Sequence, residues 1–343
     1  MQILMRSRSP HQRPGLAAAV AALAFLLVGR HAHAQVDPLP CWNEGPARKA
    51  VLEFVRAATD PAGPGFVPPE ERIATFDNDG TLWVEQPIYT QVAFALDRVR
   101  KLAPGHSEWK TEEPFRSILS GDRDAMTRFT IQDFARVIAT THSGMTVDEF
   151  HAIIKEWLAA AKHPRYRRPY TELVYQPMLE LLRHLRANGF KIYIVTGGGQ
   201  EFVRVFAESI YGVPPEQIIG SAGKVKFEYG RDGEPTLVKL PDVLLLDDKA
   251  GKPEGINLVI GRKPRASFGN STGDRQMLEW TQAGTGARLM MLVHHDDSRR
   301  EYDYGVNSKI GTFSEELMEE ARRRGWVVIS MKDDWNRIFP FEK

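Results

Sequence analysis

The sequence predicts an α/β protein with a mainly parallel sheet that is covered by helices on both faces. Apolar runs typical of buried strands alternate with helical patterns over most of the chain, and this alternation is typical of a parallel sheet. One long segment, residues 88–173, has helical patterns without strands and is predicted to be an inserted helical domain. Three predicted strands end in polar residues, and in such sheets ligands bind at these strand ends.

Each element is predicted from its own pattern. The strands are short apolar runs bounded by turn residues, at residues 72–76, 191–196, 217–223, 225–240 (two strands around a Gly-Arg-Asp-Gly turn), 264–270, 287–293 and 326–331. The helices outside the insertion have apolar residues at helical spacing, at residues 46–58, 176–190, 200–212, 251–261, 274–282 and 314–325. We therefore assign residues 35–87 and 174–343 to the α/β core.

Composition and charge are ordinary for a globular enzyme. The 343 residues carry 45 basic and 44 acidic side chains, so no charge excess indicates nucleic acid or an anionic membrane as a partner. The single cysteine, Cys41, excludes an internal disulfide within these residues. The sequence does not predict whether the protein forms oligomers.

The first 34 residues have the pattern of a secretory signal peptide. Three arginines precede a 15-residue apolar run, residues 15–29, and an A-x-A pattern ends at Ala34. The run is shorter than the about 20 residues that span a bilayer, although an uncleaved anchor is the alternative interpretation. We expect an exported protein, periplasmic or secreted, that begins near Gln35 and has no stable membrane anchor.

The polar strand ends carry the residue types that phosphoryl transfer needs. A carboxylate can attack phosphorus, a second acid can protonate the leaving alkoxide, and a cation with oxygen ligands can offset the phosphate charge. A hydroxyl, exposed N–H groups and a lysine can bind the phosphoryl oxygens. These groups occur in four stretches: "DNDGT" with Asp77 and Asp79, "TGGG" with Thr196 and Gly197, "DDKAGKP" with Lys249 and Lys252, and "GNSTGD" with Asn270 and Asp274.

In their order and spacing these motifs resemble those of the haloacid dehalogenase superfamily, over about residues 72–279. The chain is most similar to the phosphoserine-phosphatase-like branch, in which a helical cap lies between the first and second motifs. The resemblance implies a Rossmannoid core with an inserted helical cap. It also implies an aspartyl-phosphate mechanism with Asp77 as the nucleophile and Asp79 as the general acid and base.

The resemblance also implies how the phosphoryl group and a Mg²⁺ ion are bound. Thr196 and the Gly197 N–H would bind the phosphoryl group, and Lys252 would be the lysine of the third motif. Mg²⁺ would be held by four residues, namely Asp77, Asp79, Asn270 and Asp274. Many relatives carry aspartate where this chain has Asn270, so the metal site has one negative charge less.

Several neighbouring residues have weaker signals. Glu85 follows the catalytic loop and is predicted to contact substrate. Lys252 precedes Pro253, which favours a position at a helix N-cap, whereas Lys249 has the composition of a solvated turn around it. The adjacent histidines of residues 294–297 are interpreted as part of a solvated loop rather than as a metal site.

The sequence therefore predicts an exported, Mg²⁺-dependent phosphomonoesterase, similar to acid phosphatases, that acts on small organic phosphate monoesters. A dehalogenase is an alternative that would use Asp77 without Asp79 as the acid. A phosphonatase is another, and it would need a Schiff-base lysine from the cap; the candidates are Lys101, Lys110, Lys155 and Lys162. An exported protein that binds a phosphorylated ligand without turnover is the non-enzymatic alternative.

Overall fold

The computed structural model describes residues 37–342 of the chain. The predicted signal peptide, residues 1–34, lies outside these residues, so the prediction of export stays a prediction. Across residues 37–342, every helix is too short or too polar to span a bilayer.

The described residues form one seven-stranded sheet in the order β4-β3-β2-β1-β5-β6-β7. All neighbouring strands are parallel except β3 and β4, which are antiparallel. The predicted α/β fold with a mainly parallel sheet is therefore confirmed. The strands are β1 Ile73–Phe76, β2 Lys191–Gly199, β3 Ile218–Tyr229, β4 Pro235–Leu245, β5 Ala266–Gly269, β6 Leu289–His294 and β7 Val327–Ser330.

Helices cover both faces of this sheet because successive strand side chains point to opposite sides. Ile194 joins the apolar cluster on one face, and Val195 joins the cluster on the other. The first cluster includes side chains of α1 Pro46–Thr59 and α7 Gln176–Ala187, with α8 Gln200–Arg204 and α9 Ala207–Tyr211. The second includes side chains of α10 Gly251–Val259, α11 Arg275–Gln282 and α12 Glu315–Arg324, and a short helix, α13 Met331–Asp334, follows β7.

Between β1 and α7 the chain is helical, and we name residues 90–160 the helical segment. Its helices are α2 Thr90–Leu102, α3 Phe115–Ser120, α4 Arg123–Met126, α5 Ile131–His142 and α6 Val147–Ala160. Part of this segment has an apolar cluster of its own, in which Val99 and Trp109 contact Phe115, Ile118 and Val137. A separate cluster is typical of an inserted unit, although the predicted boundaries, residues 88 and 173, stay a prediction.

The strands β3 and β4 differ from the prediction. Residues 217–223 and the strand after them were expected to be separate, but they form one strand of 12 residues that runs to Tyr229. The reason is pairing: β4 hydrogen-bonds along β3 from Tyr229↔Pro235 to Ala222↔Leu245, with register shifts near Gly223. The β3–β4 hairpin also bonds to the helical segment, because Gly144 N donates to Lys239 O and Lys239 N donates to Met145 O.

Candidate active site

The three central strands bring their polar ends together. Strand β1 lies between β2 and β5, and Asp77 follows β1 directly, with its backbone N–H donating to Phe268 O at 2.9 Å. Thr196 lies near the end of β2, and Asn270 follows β5. We name the set Asp77, Asp79, Thr196, Lys252, Asn270 and Asp274 the catalytic edge, because all of these side chains lie where the parallel strands end.

Lys252 is the centre of this edge. Its side chain is 2% exposed, and its Nζ donates to Asp77 Oδ1 at 2.6 Å, to Asp274 Oδ1 at 2.7 Å and to Val195 O at 2.8 Å. A lysine ammonium has three donors, so these three bonds use all of them. The ammonium therefore has a fixed position beside the predicted nucleophile.

The charges of this cluster depend on one another. Burial alone would lower the pKa of Lys252, but the carboxylates of Asp274, Asp77 and Asp247 raise it above its ordinary value. Burial raises the pKa of Asp77, and so does Asp274, while Lys252 acts in the opposite direction. The charged Lys252 is thus the group that favours the ionised, nucleophilic form of Asp77.

Both carboxylate oxygens of Asp274 accept hydrogen bonds from other residues of the protein. Its Oδ1 accepts from Lys252, and its Oδ2 accepts from the backbone N–H groups of Asn270 and Ser271, each at 3.0 Å, and from Ser271 Oγ at 3.2 Å. Both oxygens therefore bind donors that orient the lysine and the turn after β5. These contacts do not favour the predicted role of Asp274 as a direct metal ligand, which stays a prediction.

Asp79 has a different environment from Asp77. It borders the cleft, and its Oδ1 accepts from Trp83 Nε1 at 2.9 Å. Burial raises the pKa of Asp79 to about 6, although the bond from Trp83 opposes this shift. A carboxyl with a pKa near neutrality can both donate and accept a proton at physiological pH. This is the property that a general acid and base requires.

The end of β2 places a hydroxyl and glycines at the same cleft. Thr196 is buried and its Oγ1 accepts from Gly198 N at 3.0 Å, while Gly197 is exposed at the cleft. Gln91, which the sequence did not single out, accepts from Gly199 N at 2.5 Å. The glycines let this side chain come close, since a Cβ on Gly199 would lie 2.5 Å from Gln91 Nε2.

Glu85 borders the cleft and contacts Asn270. Its Oε1 accepts from Asn270 Nδ2 and from Tyr304 Oη, both at 2.7 Å, and its side chain is buried. Burial raises the pKa of this carboxyl. Gly80, at φ +77°, leaves the space for both groups, because a Cβ there would lie 2.1 Å from Asn270 Nδ2 and 2.4 Å from Glu85 Oε1. Glu85 therefore orients the Asn270 amide. Because Glu85 also borders the cleft, its predicted contact with substrate stays a prediction.

Some of the oxygen atoms at the edge are of the kind that bind a Mg²⁺ ion. With its nitrogen bound to Glu85, the Asn270 amide has its oxygen available on the opposite side, where Thr81 Oγ1 donates to it at 3.3 Å. Together with the Asp77 carboxylate and the Asp79 carbonyl, this is an all-oxygen set of low charge, and Mg²⁺ typically takes few protein ligands and keeps several waters. Among residues 37–342, no group of three or more His, Cys, Asp or Glu side chains is arranged to hold a metal.

Asp77, Asp79 and Lys252 open into a large cleft of about 2460 Å³. Its other walls come from the helical segment and from the β3–β4 hairpin. Ligand pockets of drug size typically have about 300–1,000 Å³. The cleft therefore has room for a group much larger than the phosphoryl group at its catalytic end.

The family model of haloacid dehalogenase-like hydrolases matches residues 74–279. The chain belongs to this family. The matched residues contain Asp77 and Asp79 near the beginning and Asn270 and Asp274 near the end, so the family resemblance inferred from the four motifs is confirmed.

Solved structures with similar folds have low sequence identity to this haloacid dehalogenase-like hydrolase. A conserved protein of unknown function from Anaerococcus prevotii is 16% identical, with 81% of this chain and 88% of that chain covered at a TM-score of 0.52. A protein of unknown function from Bordetella pertussis is 19% identical (76% and 98% covered, TM-score 0.48), and a phosphoserine phosphohydrolase-like protein from Francisella tularensis is 18% identical (75% and 94% covered, TM-score 0.39). The search of curated proteins finds no match.

One sequence interpretation of this haloacid dehalogenase-like hydrolase is wrong. The loop of residues 294–297 is not solvated throughout, because His295 and Asp297 are buried. His295 Nε2 donates to Gly80 O at 2.7 Å, and its Nδ1 lies 3.1 Å from Glu301 Oε2. The histidine therefore supports the turn after Asp79. A buried position was indicated by the apolar strand directly before it, but its partner could not be predicted.

The two lysines of the third motif have opposite environments. Lys252 is buried, whereas Lys249 is exposed and has a φ of 52° in a turn. Lys252 is the second residue of α10, and Ala250 is the N-cap, so the predicted N-cap position of Lys252 is wrong by two residues. The helix begins earlier because Gly251 N donates to Asp248 O and Lys252 N donates to Lys249 O, which closes the first turn before Pro253.

Proposed function

We propose that this haloacid dehalogenase-like hydrolase is an exported phosphomonoesterase that acts through an aspartyl-phosphate on Asp77. The observation that supports this most strongly is the contact of Lys252 with both Asp77 and Asp274, next to Asp79 with a raised pKa. A nucleophile, a charged partner and a separate acid then lie at one end of a single cleft. Export rests on the signal-peptide pattern in residues 1–34.

In the first step the Asp77 carboxylate attacks phosphorus. A bond forms between the aspartate oxygen and phosphorus, the ester P–O bond breaks, and Asp79 gives its proton to the leaving alkoxide. Thr196 and the Gly197 N–H bind the phosphoryl oxygens, and Lys252 stabilises the negative charge shared by Asp77 and the phosphoryl group. The pKa of Asp79, about 6, supports a protonated acid at mildly acidic pH.

In the second step a water molecule attacks the phosphorus of the aspartyl-phosphate. Asp79, now ionised, accepts the proton of this water, the bond between phosphorus and the Asp77 oxygen breaks, and inorganic phosphate leaves. A bound Mg²⁺ would offset negative charge on the phosphoryl oxygens. The Asp77 carboxylate, the Asp79 carbonyl and the Asn270 amide oxygen would hold it, with Glu85 fixing the amide.

The environment of the lysines does not favour a phosphonatase. A lysine that forms a Schiff base needs a lowered pKa, which desolvation in an apolar pocket provides. Every lysine that was a candidate for this role, namely Lys101, Lys110, Lys155 and Lys162, is exposed. Lys155 alone of the four borders the cleft, and it is exposed like the other three.

Hydrolysis of p-nitrophenyl phosphate by the purified protein, with and without Mg²⁺, tests the proposal. We expect release of p-nitrophenol that requires Mg²⁺ and disappears in Asp77→Asn, because an amide is nearly the same size but a poor nucleophile. Circular dichroism and thermal unfolding of Asp77→Asn serve as the control for folding. Full activity of Asp77→Asn would contradict the mechanism, and binding of phosphate without turnover would favour a binding protein.

A further inference from the structure

The cleft that contains the proposed phosphoryl site also has exposed apolar side chains on its walls. Seven of the twelve exposed large apolar side chains in residues 37–342 border it. We name six of them the apolar wall: Phe134, Ile138, Leu237, Val243, Leu244 and Leu246. Exposed apolar patches on a soluble protein generally mark a binding site.

The most exposed part of this wall is a run of consecutive apolar residues at the end of β4. Val243 is 64% exposed, and Leu244 and Leu246 are each 65% exposed. Exposure of such a run to water is unfavourable in free energy unless a ligand or a partner covers it. It therefore requires an explanation that the four catalytic motifs do not supply.

The run is continuous with the phosphoryl site. Leu246 is followed directly by the loop that leads to Lys252. The Leu246 carbonyl oxygen lies against the first residue of α10, because a Cβ on Gly251 would lie 1.9 Å from it. Both the run and Lys252 border the same cleft as Asp77. A molecule whose phosphate lies at Asp77 therefore extends its alcohol portion toward the apolar wall.

The helical segment also contributes to the apolar wall. Phe134 and Ile138 lie four residues apart on α5, so they share one face of this helix, and both are exposed at the cleft. Val137, on the adjoining face, is buried in the apolar cluster of the helical segment. The helix thus has two apolar faces, one that packs inside the segment and one that faces the cleft.

We infer that the substrate is a phosphate monoester whose alcohol portion is large and apolar, such as a medium-chain alkyl or extended aryl group. This inference rests on the proposed phosphomonoesterase function. The apolar wall binds the hydrocarbon portion, and the catalytic edge binds the phosphate. Small polar esters such as phosphoserine leave the wall in contact with water and gain nothing from it.

A series of n-alkyl phosphates from ethyl to octyl tests the inference, with each ester kept monomeric in solution. Burial of a methylene contributes about 0.8 kcal/mol, so we expect kcat/KM to rise by roughly twofold to fourfold per methylene. Across the six methylenes that separate ethyl from octyl phosphate, the increase in kcat/KM should total at least about 60-fold. A series without dependence on chain length would overturn the inference.

Substitutions inside and outside the apolar wall test whether this wall causes the dependence on chain length. Leu244→Ser and Leu246→Ser should reduce the gain per methylene, whereas Leu258→Ser should not, because Leu258 is equally exposed, at 73%, but does not border the cleft. An equal increase in kcat/KM per methylene in all three variants would contradict the assignment of the apolar wall as the site that binds the hydrocarbon portion. A dimer that Leu244→Ser dissociates would assign the wall to a second copy of the chain and would also overturn it.

The failure of this inference can be told apart from the failure of the proposed function. If p-nitrophenyl phosphate is hydrolysed and the alkyl series is flat, only the inference about the apolar wall fails. If no phosphate ester is hydrolysed at any chain length, the phosphomonoesterase function itself is wrong.

Discussion

The catalytic edge and the apolar wall border the same cleft but are constructed in opposite ways. At the edge, Lys252 and Asp274 are almost fully buried, and every hydrogen-bonding group of the lysine ammonium has a partner. At the wall, Val243, Leu244 and Leu246 are exposed. This difference supports the two proposals, in which the rigid edge carries out the chemical step and the exposed wall binds the hydrocarbon portion of the substrate.

This comparison also predicts how substitutions behave. Changes at the edge disturb a buried charge network, in which removal of one partner leaves another charge uncompensated. Changes at the wall alter exposed side chains, which usually shift folding stability by less than about 0.5 kcal/mol. Substitutions at the edge should therefore cause large, non-additive losses of activity. Substitutions at the wall should cause small changes in activity that depend on the substrate.

The largest expected effect among substitutions that leave the nucleophile intact is that of Asp79→Asn. Loss of the general acid should slow the hydrolysis of an alkyl phosphate by about 10²–10⁴-fold. The loss should be smaller for p-nitrophenyl phosphate, because its leaving group hardly needs a proton. Steady-state kinetics on both esters measures the ratio, and equal losses on the two would rule out the general-acid role.

Lys252 gives the next largest effect, with Lys249 as a matched control. Lys252→Met keeps an unbranched stem of similar length but removes the charge beside Asp77, and we expect kcat to fall by about 10²–10³-fold, the typical loss for one preorganised electrostatic contact. Lys249→Met should keep its activity, because Lys249 is exposed. Kinetics on the two folded proteins decides, and the reverse ranking would transfer the role to Lys249.

A buried carboxyl between the two regions gives the third effect, on stability. Asp247 follows the apolar run, is fully buried, and its two oxygens have no hydrogen-bond partner among residues 37–342. Burial raises its pKa to about 7, although Lys252 opposes the shift. The folded state therefore binds the proton more tightly than the unfolded state, and this group's contribution to stability is lost as the pH rises from about 4 to about 7.

Asp247→Asn removes this titration. The free energy of unfolding of the variant relative to the wild type should therefore increase with pH across that window, by at most about 4 kcal/mol for a shift of this size. Urea unfolding at pH 4, 5, 6, 7 and 8 gives the difference directly. A difference that does not change with pH would mean that Asp247 is ionised or satisfied throughout.

Much of the edge could be predicted because its residues lie in short motifs at strand ends. Asp77, Thr196 and Asn270 each lie in a recognisable local pattern, and the parallel sheet then brings them together. The contacts of Glu85 and His295 could not be predicted in this way, because their partners Asn270 and Gly80 are 185 and 215 positions away along the chain. Such pairs depend on how loops pack, which no local pattern specifies.

The apolar wall was missed for a different physical reason. An apolar run such as residues 243–246 is read from sequence as a buried strand, and the sequence contains no signal that β4 extends beyond the covered part of the sheet. The pairing of β4 with β3 continues to Leu245 and keeps this part of the run in strand form, while Val243 and Leu244 stay exposed. Whether such a run is buried therefore depends on the elements that pack against it and not on its own sequence.

The bonds between the β3–β4 hairpin and the helical segment have a mechanical consequence. Gly144 and Met145 are joined to Lys239 by two backbone hydrogen bonds, and the Lys239 ammonium lies 4.5 Å from the centre of the Phe150 ring. A rotation of the helical segment away from the sheet would therefore have either to break these contacts or to move the hairpin as well. The helical segment is thus held not only by its two chain connections to the sheet but also by a hairpin whose strand pairing changes register near Gly223.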